Sequence, residues 1–334
     1  MGSGTTGGAS MRVLVTGGRG LLGSAVVSEL GRRHDVLAFQ RHASQSGARE
    51  VLGDIRDSKS VQAAMDGAEA VVHLAAKVSM HGDRREFESI NVQGTATVIE
   101  AAQRSGVARF VHISSPSVAH AGAPIIGAGA EPADPSSARG AYARSKAAAE
   151  LIALAADDAR MSVVAIRPHL VWGPGDTQLV DRIVARARAG RLFLLDDGAA
   201  LIDTTYVDNA AEAIAQALEV CGEPDVHGRA FVVSNGEPRT VAELLGRMAD
   251  AAGAPGPLRS VPSGAAIAAG HVIEAGWRVA GRTDEPALTA FIAEQLSTAH
   301  WFDQRQTMDA LRWHPSVSLE EGFTRLRAWY ASAG

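Results

Sequence analysis

The chain has 334 residues, of which 46% are apolar and 21% charged. Enough apolar surface is present to outweigh chain entropy, so a dominantly disordered chain is excluded, and 35 glycines and 13 prolines without a fixed period exclude a collagen-like or low-complexity one. A formal charge of −5 gives no global electrostatic case for nucleic acid, and a single cysteine, Cys221, excludes an internal disulfide framework or a multi-cysteine zinc site.

Residues 1–10, MGSGTTGGAS, are small and polar and lack the apolar core of a signal peptide, so they read as a disordered leader or tag. From Met11 the chain alternates between two periods. MRVLVTG (11–17) is a short apolar run with a stop, the pattern of a buried strand, and residues 20–32 follow with helical spacing. DVLAF (35–39), REVLGD (49–54) and EAVVHLA (69–75) are the next strands, with a helix predicted over 58–65. A long helical segment, 84–105, precedes RFVHIS (109–114). A Pro/Gly/Ser/Ala-rich loop covers 116–140, a helix is predicted over 141–159, and MSVVAIRP (161–168) is the sixth strand. Strands alternating with helices imply a parallel sheet covered on both faces. The predicted fold is α/β, a Rossmann-type doubly wound sheet over 11–170. A smaller mixed C-terminal substrate lobe over 171–334 sends some segments back to that core. Ser263–Gly281 is the most apolar stretch, but His271, Glu274 and Arg278 interrupt it. It reads as an amphipathic helix over a cavity, with a membrane-surface position as the second option. No run of 18 apolar residues exists, and the expected location is the cytoplasm of a bacterium.

The turn after the first strand carries Gly17, Gly18, Gly20 and Gly23, followed directly by helix. A side chain at such a turn would block backbone approach to a pyrophosphate, and the free N–H groups at the helix start hold the anion. Gly17, Arg19, Gly20, Leu21, Leu22 and Gly23 are therefore candidate dinucleotide-binding residues. The second strand ends in Gln40-Arg41-His42 without an acid to bind a ribose 2′-hydroxyl. Arg41 and Arg19 can instead pair with a 2′-phosphate, so NADP(H) is favoured over NAD(H). Asp54, with Ile55 beside it, is placed for the adenine edge, or simply for a turn.

Tyr142 and Lys146 are four apart on one predicted helix and share a face. A nearby ammonium lowers a phenol pKa, so the pair can pass a proton to or from an alcohol oxygen. A serine at the end of the fifth strand can polarise a carbonyl; Ser115 is preferred, with Ser114 and Ser117 as competitors. Asn91 is a candidate for holding a water or backbone group in the proton path, or for helix packing. His169 and Trp172 follow the sixth strand within reach of a substrate, or cap the sheet edge, and Trp277, Trp301 and Phe302 line a tunnel or fill core. No histidine or cysteine cluster has metal-ligand spacing, so no metal is expected.

TGGRGLLG (16–23), HLAA (73–76), NVQGT (91–95), VHISSPSV (111–118), YARSK (142–146), RPHLVWGPGD (167–176) and TTYVDNAAEA (204–213), in this order, resemble the extended short-chain dehydrogenase/reductases. Within them the chain is similar to the 3β-hydroxysteroid dehydrogenase branch, and nearer still to the 2-alkyl-3-oxoalkanoate reductases of bacterial olefin and β-lactone biosynthesis. That resemblance implies NADPH-dependent reduction of a long-chain 3-keto acid by Ser115, Tyr142 and Lys146, with Tyr142 and Lys146 also binding the cofactor, Lys146 at the nicotinamide ribose. It also implies that Leu74, Ala75, Ala76, Pro168 and Leu170 line the nicotinamide and ribose side, mainly through backbone, with Ser117 near the substrate. It further implies a homodimer through 84–105 and 141–159, and association with other enzymes of the same pathway. A sterol dehydrogenase with the same residues is the enzyme alternative. A non-catalytic dinucleotide sensor is the alternative of another class.

Overall fold

The computed structural model describes residues 9–44, 48–79, 82–120, 122–257, 259–280 and 288–333, so most of the expected leader lies outside the described residues. The chain begins with strand β1 (Arg12–Thr16), helix α1 (Leu21–Leu30), β2 (Asp35–Gln40), β3 (Arg49–Leu52), α2 (Ser58–Ala64) and β4 (Ala70–His73). The long predicted helix is α3 (Arg84–Phe87), a π-helical stretch Glu88–Gln93 and α4 (Gly94–Arg104) in succession. Next come β5 (Arg109–Ile113), a short strand β6 (Ile125–Ala128), α5 (Gly140–Ala155) and β7 (Ser162–Pro168). Beyond it the elements shorten, as the sequence implies: β8 (Val171–Trp172), α6 (Val180–Arg188), β9 (Phe193–Leu195), β10 (Leu201–Ile202), β11 (Thr205–Tyr206), α7 (Val207–Val220), β12 (Arg229–Val233), β13 (Arg239–Thr240), α8 (Val241–Ala251) and β14 (Arg259–Val261). The chain closes with α9 (Ser263–Val279), α10 (Ala290–Ser297), β15 (His300–Phe302), α11 (Arg305–Leu311) and α12 (Leu319–Ala333).

The main sheet has seven parallel strands in the order β12-β7-β5-β4-β1-β2-β3. Its central strands are buried on both faces, which is why they read as continuous apolar runs rather than alternating ones. Val13, Val15 and Val72 face one core, closed by Val26, Val27 and Leu30 of α1 and Ile214 and Leu218 of α7. Leu14, Val71 and Phe110 face the other, with Val98, Ile99 and Ala102 of α4. The order reverses at β1, whose neighbours are β2 and β4, so a crevice opens at the carboxyl ends of β1 and β4. The expected return of later segments to this core is made by α7 and β12.

The second lobe packs Trp172, Tyr206 and Phe323 against apolar residues of α6 and α8. Its four-stranded sheet, β13-β10-β15-β6, includes a strand from within the expected 116–140 loop. Sequence reading left that segment unstructured because its partner, β15, is remote in the chain. The predicted 263–281 helix forms as α9. No helix among the described residues is long and apolar enough to cross a membrane.

One buried ion pair ties α5 to the sheet. Arg167 donates to both Glu150 oxygens at 2.9 and 2.5 Å, and also to the Glu131 carbonyl at 2.7 Å. Both side chains are almost fully enclosed, at 2% and 1% exposure, so loss of one partner strands the other charge in the interior. Glu150→Ala is expected to lower stability by about 3–5 kcal/mol in urea denaturation. A loss below about 1 kcal/mol would place this pair with ordinary surface bridges.

Candidate active site

The glycine turn sits where the sheet order reverses. Gly17 adopts φ +80°, and a Cβ there would lie 2.8 Å from the Ala75 nitrogen, so the turn lies directly against the segment after β4. A Cβ at Gly23 would come within 2.2 Å of the Gly17 carbonyl oxygen, so α1 can start this close to the turn only with glycine there. At Gly20, by contrast, a Cβ would meet open space. No side chain caps α1, and its first turn holds no acid, so its leading N–H groups stay available to an anion. The buried amide of Gln40, beside Gly18, has no hydrogen-bond partner on either terminal atom. An uncapped helix start and an orphaned amide beside a glycine turn fit a dinucleotide.

The other expected cofactor residues are arranged around this turn. Arg19 and Arg41 are exposed, while Leu21 and Leu22 are half-buried in the first turn of α1. Leu74, Ala75 and Ala76 follow β4, with the Leu74 nitrogen bonded to the Thr16 carbonyl at 3.1 Å. Ile55 is buried, with its side chain packed on Gly94. Asp54 accepts from Arg56 at 2.9 and 2.6 Å, and this pairing, with a smaller contribution from Arg41, holds its carboxyl below the usual carboxylate range. Its side chain is thus engaged as a turn residue.

Tyr142 and Lys146 lie in the first turns of α5 with Ser115 opposite them, at the end of β5. Ser115 caps the short 3-10 turn Pro116–Ala119 and shares a 2.9 Å hydroxyl contact with Ser117. Of the three serines, Ser115 lies near enough to Tyr142 to favour its phenolate, whereas the Ser114 hydroxyl is buried without a partner. Burial pushes the Tyr142 phenol up, and Ser115 offsets only part of that. Lys146, expected to lower it, donates its ammonium to the Ile113 carbonyl. Burial brings the Lys146 pKa down to about 8, against a smaller upward pull from Glu150.

A chain of buried hydrogen bonds joins the glycine-turn strand to α5. The Thr95 hydroxyl donates to the Asn91 carbonyl at 2.6 Å, so it must accept from His73 Nε2 at 3.0 Å. His73 Nδ1 then accepts from the Thr16 hydroxyl at 2.7 Å, and that oxygen accepts from the Ala75 N–H at 3.2 Å. This tautomer is neutral, in keeping with a pKa that burial, and secondarily the Lys146 charge, brings down to about 3. Asn91, in the π-helical stretch, accepts from the Lys77 N–H at 2.7 Å and donates to the Ser145 hydroxyl at 2.9 Å. Ser145 in turn donates to the Tyr142 carbonyl at 2.8 Å. Asn91 thus holds backbone, one of the roles expected of it. Thr16, His73, Thr95 and Ser145 were missed by the sequence reading. Each lies within one of the quoted motifs, but only their convergence at one strand end shows that they act together.

A cavity of about 2020 Å³ opens beside Ser115, Ser117 and Tyr142. Pro168, His169 and Leu170 form part of its wall, and Leu170 adopts a left-handed φ of +42°. The His169 ring is neutral, bonded to His300 at 3.0 Å and packed on Phe302. Trp277 and Phe302 also line the cavity. Trp172 is corrected: it is fully buried, stacked on Phe323, with its indole N–H bonded to Thr204 at 3.0 Å. Two residues beyond Leu170, it points into the lobe core instead of the cavity.

Residues 14–260 match the 3-beta hydroxysteroid dehydrogenase/isomerase family. The chain belongs to that family. As such it is an NAD(P)-dependent oxidoreductase acting between CH–OH and C=O. A relative from Stenotrophomonas maltophilia, named 2-alkyl-3-oxoalkanoate reductase, is 41% identical over 326 residues, covering 95% of this chain and 99% of its own. One of the same name from Shewanella oneidensis is 37% identical, covering 94% and 85%. The fold is shared with the UDP-glucuronic acid 4-epimerase from Bacillus cereus in complex with NAD, at a TM-score of 0.74 and 17% identity over 97% of this chain and 99% of that one.

The buried neutral histidines of this family member set its acid limit. His73, His112 and His169 all have pKa values lowered by burial, so below pH ~6.5 the unfolded chain binds protons that the folded one does not. Stability is fully present above pH ~6.5 and is expected to fall below it by up to about 1.4 kcal/mol per pH unit for each histidine. Urea denaturation between pH 7.5 and 5 checks this; a midpoint that does not move would contradict the neutral assignment.

Proposed function

We propose that the chain uses NADPH to reduce the 3-keto group of a 2-alkyl-3-oxoalkanoate to the 3-hydroxy acid. The observation that carries this reading is the cavity. At about 2020 Å³, it exceeds the roughly 300–1,000 Å³ of ordinary ligand sites, and it meets Ser115 and Tyr142 at one end. A β-keto acid with alkyl chains on both sides of its reacting carbon calls for that much space. The name and full-length match of the Stenotrophomonas relative support the same substrate class.

Bound, the reduced nicotinamide supplies the hydride that reaches C3. The Tyr142 hydroxyl donates its proton to the carbonyl oxygen as negative charge develops there. Ser115 orients the same oxygen through its hydroxyl, which also favours the Tyr142 phenolate. Lys146 remains an ammonium at neutral pH and keeps a positive field behind the phenol. Gly17, Gly20 and Gly23 hold the pyrophosphate with the start of α1. The exposed guanidiniums of Arg19 and Arg41 favour a 2′-phosphate, and no acid ends β2 to compete with it.

Oxidation of a 2-alkyl-3-hydroxyalkanoic acid, followed by nicotinamide absorbance, tests the reading and avoids the unstable free keto acid. Turnover is expected with NADP and much less with NAD. Silence on such acids, with turnover of a sterol, would discard the substrate class and leave the proton-transfer set in place. In the same assay Tyr142→Phe should lower kcat by about 10²–10⁴-fold while dinucleotide affinity survives. Undiminished turnover by this variant would remove Tyr142 as the proton donor.

A further inference from the structure

A 3-oxo acid carries its carboxylate two bonds from the reacting carbonyl. An anion entering an apolar cavity needs a counter-charge there. Lys77 lines the cavity and donates to Glu86 at 2.7 Å, but it belongs to the segment after β4 and not to the chain leading into the helix of Tyr142. Arg182 and Arg186 lie on α6, in the second lobe. Arg139 is placed differently. It is the extended residue immediately before α5, three positions ahead of Tyr142 in the chain. Both line the same cavity.

The surroundings of Arg139 are built for an anion. Its guanidinium lies over Gly122, where a Cβ would come within 2.4 Å of its Cζ. No side chain caps the start of α5, so the leading N–H groups of that helix stay available near the same place. His120, beside it, has a pKa lowered by burial and then by the Arg139 charge, so no second cation competes. A carboxylate already sits on the guanidinium: Glu294, reaching from α10 on the far wall. The two side chains are 45% and 26% exposed, and an ion pair this open to water is weak enough to exchange partners.

We propose that Arg139 is the carboxylate subsite of the reductase, and that Glu294 occupies it as an internal substitute until the substrate's own carboxylate displaces it. The inference rests on the oxo-acid reading above. It makes Arg139 the residue that separates acids from neutral ketones of the same shape. It also couples substrate arrival to release of α10 from the catalytic helix.

The test compares a 2-alkyl-3-hydroxyalkanoic acid with its methyl ester, oxidised with NADP. The wild-type chain should prefer the acid. Arg139→Gln should cut the acid-over-ester ratio of kcat/KM by about 10–100-fold, mainly through the KM of the acid, and Arg139→Lys should restore part of it. Glu294→Gln should lower the KM of the acid about threefold, because one competitor is gone. Equal losses for acid and ester in Arg139→Gln, or an unchanged ratio, would overturn the subsite while leaving the oxo-acid reading intact. A wild-type chain that oxidises neither compound but takes a sterol would overturn both.

Discussion

The buried polar chain from Thr16 through His73, Thr95 and Asn91 to Ser145 is the constraint on which the site depends. It spans the point where the sheet order reverses, between the strand that ends in the glycine turn and the helix that carries Tyr142. Every donor along it has one acceptor, so its direction is fixed by counting protons. Such a network is strong only when complete: in a low-dielectric interior each unpaired group costs more than its bond contributes. That completeness requires a neutral His73. A protonated ring would donate from both nitrogens and leave two donors facing each other at Thr16.

The same burial that fixes His73 works against the proposed proton-transfer pair. Tyr142 is pushed toward a higher pKa and Lys146 toward a lower one, so the two shifts oppose proton exchange within the empty pair. For reduction this is a workable arrangement. The phenol needs to be protonated before the reaction and to yield its proton only to a developing alkoxide, a far stronger base than the carbonyl it replaces. Ser115 lowers that cost, because its hydroxyl can donate to the phenolate oxygen as the proton leaves. The Glu150–Arg167 pair beneath α5 has a second role here, because the Glu150 charge favours the ammonium form of Lys146.

Much of this was readable in the chain, for a physical reason. Strands β1, β4, β5 and β7 are buried on both faces, so they appear as unbroken apolar runs, and the glycine turn follows the first of them. Tyr142 and Lys146 announce themselves by helical spacing. Trp172 shows where that reasoning stops. It lies two residues beyond Leu170, and the sequence cannot say which side of such a short strand meets the cavity; a one-residue difference in register exchanges core for wall. The pairing of β6 with β15 was equally hidden, since its partner lies at the other end of the chain. His73 looked like one polar residue in an apolar strand, and nothing local distinguishes a packed histidine from one that organises a network.

Division of labour between the lobes follows from these constraints. The sheet must be close-packed on both faces, so it cannot also enclose a large ligand, and its contribution ends at the strand tips. Room for a bulky substrate has to come from elements that do not share the sheet's core. Helices α6, α9 and α10 do this: they meet the sheet domain at the cavity rim, and α10 touches it through Arg139 and Glu294. That rim contact is an ion pair open to water and therefore weaker than the buried hydrogen-bonded chain that reaches Tyr142 through Ser145. The proton-transfer residues are therefore backed by a buried network, and the facing cavity wall by a contact open to water.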